Sequence, residues 1–240
     1  MYKYKVNVVK KMRPNILLIW DFDGVIADCE HLWVENWTCI IGKKYGIKLT
    51  PAQQQYYLEG KAEKTKISLL IKDFPRITFD DGFWHEVRNN ESELIATKLE
   101  ITPHVTDILE DANFAHCVAT GAIPDKHNKK VQKLGLKKYF DEQNTFTATM
   151  VQNGKPEPDL FIYAAQKMGY LPENCIVIED STAGIIAAKK ADMKVIAYVG
   201  ATNHNTDEYI AQCRKYGADF IASTMTEVHT ILKKLYKINN

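Results

Sequence analysis

The chain has 240 residues, of which 31 are basic and 30 acidic, a formal net charge of +1, with 45% apolar and 25% charged side chains. This is the make-up of an ordinary globular protein, long enough for one large domain or two modest ones. Near-neutral charge supplies no long-range field for a nucleic acid or an anionic membrane, so neither is expected as a partner.

In chain order, the basic start and the apolar run that follows superficially resemble a signal peptide. The run is too short, ends in Asp21 and Asp23, and has no small-residue cleavage site. Residues 1–14 are read as an N-terminal extension. Ile16 to Trp20 is continuously apolar, as expected of a strand buried on both faces of a parallel sheet. From His31 to Tyr45 the apolar residues recur at helical spacing and Gly46 supplies a stop. Thr50-Pro51 opens another helix by the N-cap and first-turn rule, and 64–72 and 81–99 also read as helical. Residues 30–99 thus form an all-helical block. After Pro103 the pattern alternates: short β-prone runs at 115–119, 145–149, 175–178, 195–198 and 219–222 are separated by helical segments near 105–112, 125–135, 158–169, 181–191 and 205–216.

Alternating strands and helices imply right-handed crossovers and a parallel sheet covered on both faces. The predicted fold is a doubly wound, Rossmann-like α/β core, residues 15–29 and 100–240, with an inserted all-helical cap over 30–99. No stretch reaches the roughly 18 apolar residues a membrane span needs. The five cysteines, Cys29, Cys39, Cys117, Cys175 and Cys213, are scattered and form no Cys-x-x-Cys pair. They argue against a disulfide framework or structural zinc and fit a reducing, cytoplasmic compartment.

In such sheets chemistry gathers at the carboxyl ends of the strands. The residues just past those ends are Asp21 and Asp23, Thr120-Gly121 and Glu179-Asp180, with Lys155-Pro156 in a later loop. Clustered acids raise one another's pKa unless a cation intervenes. Asp21 and Asp180 are hard oxygen donors suited to Mg²⁺, which favours few carboxylates plus a substrate phosphate. A metal, a lysine, a hydroxyl and free amides at a helix start are parts for handling a phosphoryl group. One carboxylate can then act as nucleophile and its neighbour as general acid and base.

Asp21-Phe-Asp-Gly-Val25, Val118-Ala-Thr-Gly121, Gly154-Lys-Pro-Glu-Pro-Asp159 and Ile178-Glu-Asp-Ser-Thr-Ala-Gly184 together resemble the four motifs of the haloacid-dehalogenase-like hydrolases. More narrowly, the chain is similar to the helical-cap phosphatase and β-phosphoglucomutase-like branch. That resemblance implies Asp21 as nucleophile, Asp23 as acid and base, Thr120 and Gly121 around the phosphoryl oxygens, and Lys155 neutralising charge and orienting Asp21. It implies Mg²⁺ held by Asp21, the backbone carbonyl of Asp23, and Asp180, with Glu179 nearby, and Gly24 allowing close approach of backbone amides to the phosphoryl group. The implied activity is a Mg²⁺-dependent phosphatase for a small phosphorylated metabolite, a sugar phosphate, through an aspartyl-phosphate. Trp33 and Lys61, the latter beside the Gly60 turn, are the expected specificity residues of the cap.

The sequence departs from the family at Ala122, at His104 after Pro103, and at Asp192, each where a hydroxyl or glycine is usual. The runner-up is a phosphosugar mutase, disfavoured because the mutase cap histidine falls on Trp33. A dehalogenase is disfavoured because that branch does not keep the acid at Asp23, and a catalytically silent binding protein because the central set is intact. Asp-x-Asp-Gly without a third acid does not make a calcium loop. The seven histidines show no zinc spacing and are read as structural, and the basic run Lys126, Lys129, Lys130, Lys133, Lys137, Lys138 as a solvated helix face. Nothing in the sequence specifies an oligomeric state.

Overall fold

A computed structural model describes residues 14–59, 61, 63–201 and 205–237; the N-terminal extension up to residue 13 and Gly60 lie outside the described residues. The first strand, β1 (Ile16–Trp20), is buried at every position. It is followed by β2 (Ala27–Asp28), α1 (Glu30–Tyr45), α2 (Pro51–Tyr57), α3 (Glu63–Asp73), α4 (Asp81–Lys98) and β3 (Glu100–Ile101). Then come α5 (Val105–Leu109), β4 (Phe114–Thr120), α6 (Pro124–Lys133), β5 (Thr145–Thr147), α7 (Asp159–Met168), β6 (Cys175–Glu179), α8 (Thr182–Lys190), β7 (Lys194–Tyr198), α9 (Asp207–Lys215), β8 (Phe220–Ala222) and α10 (Met225–Tyr236).

The main sheet has six strands in the order β5-β4-β1-β6-β7-β8, and every neighbouring pair is parallel. The doubly wound α/β core with a helical insertion is therefore as the sequence predicts. β1 lies inside, between β4 and β6, and its alternating side chains seed a core on each face. Leu17 and Ile19 pack with Leu160, Ala164 and Ile185. Leu18 and Trp20 pack with Val105, Ile108 and Val228. Burying each such aliphatic chain contributes about 1.5–3 kcal/mol, which is why a strand with no polar residue is fixed at the centre.

The helical block has its own core. Trp37 packs edge-on against Phe83 and Trp84, with ring centroids 5.5 and 5.7 Å away, and Ile40, Ile41, Leu58 and Leu70 complete the cluster. Thr50 caps α2 through a reciprocal box with Gln53 and Gly46 ends α1 at φ 66°, both as the sequence indicates. His104 and Asp192 stand in the left-handed region at φ 65° and 57°, so both departures occupy positions that a glycine would fill without strain. Three elements were not foreseen. The two-residue ladder of β2 with β3 joins the block's entry and exit, and α10 closes the sheet with Met225, Val228 and Leu232 buried.

Two histidines pack against aromatic rings of the core. His116 accepts a hydrogen bond from the indole of Trp20 at Nδ1, 3.2 Å. His127 is buried edge-on against Phe22 at 4.6 Å, and neither ring nitrogen has a hydrogen-bond partner among the described residues. Burial pushes the His127 imidazole down from 6.5 to about 4. As pH falls below about 6.5 the unfolded chain takes up this proton before the folded one, so stability is lost down to about pH 4. His127→Leu is expected to match wild type within about 1 kcal/mol at pH 7 and to gain about 2 kcal/mol on it at pH 5, at 1.36 kcal/mol per unit. Urea titrations of both chains at the two pH values check this, and an unchanged gap would remove His127 from the acid response.

Candidate active site

The carboxyl edge of β1, β4 and β6 gathers the predicted residues around a cavity of about 490 Å³. Asp21 follows β1 directly, its amide still held in the ladder by the carbonyl of Ile178 at 2.9 Å. Lys155, from the loop before α7, donates to Asp21 Oδ1 at 2.5 Å and to Glu179 Oε1 at 2.7 Å. Glu179 ends β6, and its other oxygen accepts from the Ser181 amide at 2.6 Å and hydroxyl at 2.9 Å. Both Glu179 oxygens are thereby engaged, one of them by Lys155. Thr120, at the end of β4, is buried on the cavity wall beside Gly121, and its hydroxyl accepts from the Ala122 amide at 3.1 Å.

Gly24 sits elsewhere than expected. Its amide donates to the carbonyl of Ala27 at 2.8 Å, it is absent from the cavity lining, and its φ is +84° with Asp180 pressed against it. The turn needs a glycine for its backbone and for the space the Asp180 carboxylate occupies.

The four acids do not act as one set, and among the described residues no three His, Cys, Asp or Glu side chains converge to hold a metal. Asp23 turns to Lys130, whose Nζ lies 2.6 and 2.7 Å from its two oxygens. Glu179 turns to Lys155 and Ser181. Asp21 and Asp180 remain toward the cavity. Burial raises the Asp21 carboxyl to about 7, with the neighbouring Glu179 and Asp23 adding to it against the pull of Lys155. Burial, Glu179 and Asp21 push Asp180 well above the usual carboxylate range. Burial alone would lower Lys155 and raise Asp23. The carboxylates around Lys155 hold it well above an ordinary lysine, and the Lys130 ammonium holds Asp23 below an ordinary aspartate.

Asp21 and Glu179 thus share the Lys155 ammonium in a buried site, with Asp180 beside them. Asp21 and Asp180 on the cavity wall offer hard oxygen donors of the kind a divalent cation takes.

Of the expected specificity residues, Lys61 lines the cavity, its Nζ anchored by the carbonyls of Gln55 and Glu59 at 3.2 Å each. Trp33 does not; its ring packs on Lys130, 5.0 Å from the Nζ. The cap helix presents Glu30 instead, one turn earlier, and α9 supplies Tyr209 and Gln212, none of them foreseen. The Tyr209 hydroxyl donates to the backbone carbonyl of Asp180. Lys130 also departs from expectation: it is a buried ion-pair partner within the run read as a solvated face.

Fold and site together define an α/β enzyme carrying a helical insertion beside its carboxylate–lysine cluster. The model of the haloacid dehalogenase-like hydrolases matches residues 18–198, and the chain belongs to that family. It is 26% identical over 182 residues to a phosphorylated carbohydrates phosphatase of Thermotoga maritima, covering 75% of this chain and 82% of that one. It is 29% identical over 184 residues to a fructose-1-phosphate phosphatase of Escherichia coli, covering 75% and 94%. Among solved structures, a haloacid dehalogenase-like protein of Agrobacterium tumefaciens superposes with a TM-score of 0.79 at 22% identity, covering 92% of this chain and 98% of its own. A haloacid dehalogenase family hydrolase of Deinococcus radiodurans with bound phosphate and sodium gives 0.75 at 21%, covering 93% and 97%. Among the described residues no helix is long and apolar enough to cross a membrane.

Proposed function

We propose that the chain is a Mg²⁺-dependent cytoplasmic phosphatase that releases phosphate from a small phosphorylated metabolite, a sugar phosphate, through an aspartyl-phosphate on Asp21. The observation that carries this is the pairing of Asp21 with Lys155 on the wall of a cavity that Thr120 and Asp180 also line. Lys155 grips Oδ1 of Asp21, leaving Oδ2 as the attacking atom. As the Oδ2–P bond forms and the P–O bond to the alcohol breaks, the leaving oxygen takes its proton from the protonated fraction of Asp23, which Lys130 keeps small. Water then attacks phosphorus, Asp23 takes its proton, and Asp21 is regenerated. Thr120, Gly121 and Lys155 hold the phosphoryl oxygens. Asp21, Asp180 and the backbone carbonyl of Asp23 would hold Mg²⁺, which when bound neutralises phosphoryl charge and polarises the phosphorus–oxygen bonds.

The sugar phosphates named for two relatives support the substrate class. A mutase is disfavoured because the position of its cap histidine is Trp33 in this chain. The test is a panel of phosphorylated metabolites with an aryl phosphate included, assayed with Mg²⁺ and with EDTA. Phosphate release from at least one sugar phosphate is expected, falling at least about 100-fold on chelation. No release from any member, or equal release in EDTA, sinks the reading, and isomerised phosphate without free phosphate favours the mutase.

A further inference from the structure

The acid/base role given to Asp23 leaves open what aims its carboxylate, and the answer lies on a helix outside the cavity. Lys130 of α6 reaches both Asp23 oxygens, at 2.6 and 2.7 Å, and Cys29 Sγ donates to Oδ1 at 3.2 Å. An ammonium straddling both oxygens fixes the carboxylate's rotation as well as its place.

Lys130 is itself immobilised. Its side chain is 3% exposed against 30% for Asp23, and the Trp33 ring covers its Nζ at 5.0 Å. On the same helix face Lys126 pairs with Glu91 at 2.6 Å and Lys133 donates to the carbonyl of Ala96 at 2.6 Å, both on α4. Core helix α6 is thus tied to the cap on either side of Lys130. Lys130 does not line the cavity, so it has no contact with substrate to make.

Resting on the phosphatase reading, we propose that Lys130 is a positioning residue: it holds the Asp23 carboxylate in the orientation that meets the leaving oxygen and then the incoming water, and Trp33 locks it in place. The expected result is a loss in kcat without a loss in binding, transmitted only through Asp23. A misplacement of about 1 Å at a reacting group costs about 100-fold. Lys130→Met is therefore expected to lower kcat for a sugar phosphate at least about tenfold while KM stays within about threefold.

The deciding measurement is a double-mutant cycle with Asp23→Asn, read with p-nitrophenyl phosphate, whose leaving group departs without a proton so that residual rates stay measurable. Lys130→Met is expected to add nothing to Asp23→Asn. Lys130→Gln, which keeps a donor one bond shorter and without charge, is expected to fall between wild type and Lys130→Met, and it carries the same cycle if the methionine chain melts below the assay temperature. A kcat loss under tenfold, a KM rise that accounts for the loss, or a further drop of the same factor in the Asp23→Asn background overturns the proposal. A wild-type chain that hydrolyses nothing in the panel overturns the phosphatase reading and this one with it, whereas an active wild type with an additive cycle overturns Lys130 alone.

Discussion

Asp21→Asn is expected to stop phosphate release, by at least about 10³-fold, the scale on which enzymes lose turnover with their nucleophile, while the chain folds and melts no lower than wild type without Mg²⁺. The two halves of this expectation come from one geometry. Asp21 stands at the end of β1 with Lys155 on Oδ1, and an amide oxygen can accept that hydrogen bond but cannot attack phosphorus. The same carboxyl is raised from 3.8 to about 7 by burial, with Glu179 and Asp23 adding to it. A carboxyl raised in the folded state favours folding at low pH, and that contribution is lost as pH climbs from about 4 to 7. At pH 8 the metal-free wild type carries this penalty in full and Asp21→Asn does not. Lys155 keeps Glu179 as its partner. Adding Mg²⁺ should reverse the order, raising the melting temperature of wild type and leaving the variant unmoved. Phosphate release and thermal denaturation with and without Mg²⁺ check both halves. Surviving turnover would remove Asp21 as nucleophile, and a Mg²⁺-dependent melting shift in the variant equal to that of wild type would remove it from the cation's ligands.

How far this site was legible in the sequence depends on which residues are considered. Asp21, Thr120 and Glu179 end buried parallel strands, and the rule that places chemistry at strand ends puts them on one edge without coordinates. What pairs with what was not legible. The acids looked like one cluster, yet Lys130 removes Asp23 from it and Lys155 engages Glu179. Lys130 was hidden because five other lysines share its stretch and lysines are usually solvated. One signal was available: His127, Lys130 and Val131 of α6 and Leu134 at its C-cap fall at helical spacing on one face, and the first three are buried. A lysine inside an apolar stripe needs a buried anion, and the missing partner was Asp23. The cap was misjudged for a different reason. Glu30 and Trp33 are one helical turn apart, so spacing says they neighbour each other but not which faces the cavity. The β2–β3 ladder is too short for any period to register, whereas Met225, Val228 and Leu232 of α10 do carry one. The fold class survived these misses because it rests on the order of strands and helices.

Two glycines should separate the roles of the adjacent acids Glu179 and Asp180. A Cβ on Gly184 would stand 1.8 Å from Glu179 Oε1 and 2.5 Å from its Cγ, and Glu179 is buried with no room to retreat. Alanine at a helical position ordinarily stabilises by about 1 kcal/mol over glycine, but here overpacking costs about 1–3 kcal/mol and drives the carboxylate off Lys155 and Ser181. With Lys155 no longer aimed at Asp21, Gly184→Ala is expected to lose about 100-fold in kcat and to keep its Mg²⁺ requirement. A Cβ on Gly24 would stand 2.0 Å from Asp180 Oδ2, at a φ of +84° that alanine resists. Gly24→Ala is expected to raise the half-maximal Mg²⁺ concentration at least about tenfold, the scale on which disturbed metal-site geometry weakens binding, with kcat at saturating Mg²⁺ falling less than in Gly184→Ala. Mg²⁺ titrations of phosphate release in the two variants decide the matter. The assignment requires the losses to divide, with Glu179 acting through the lysine and Asp180 through the cation; a Mg²⁺ shift in Gly184→Ala as large as that in Gly24→Ala would mean that the two acids serve the metal together.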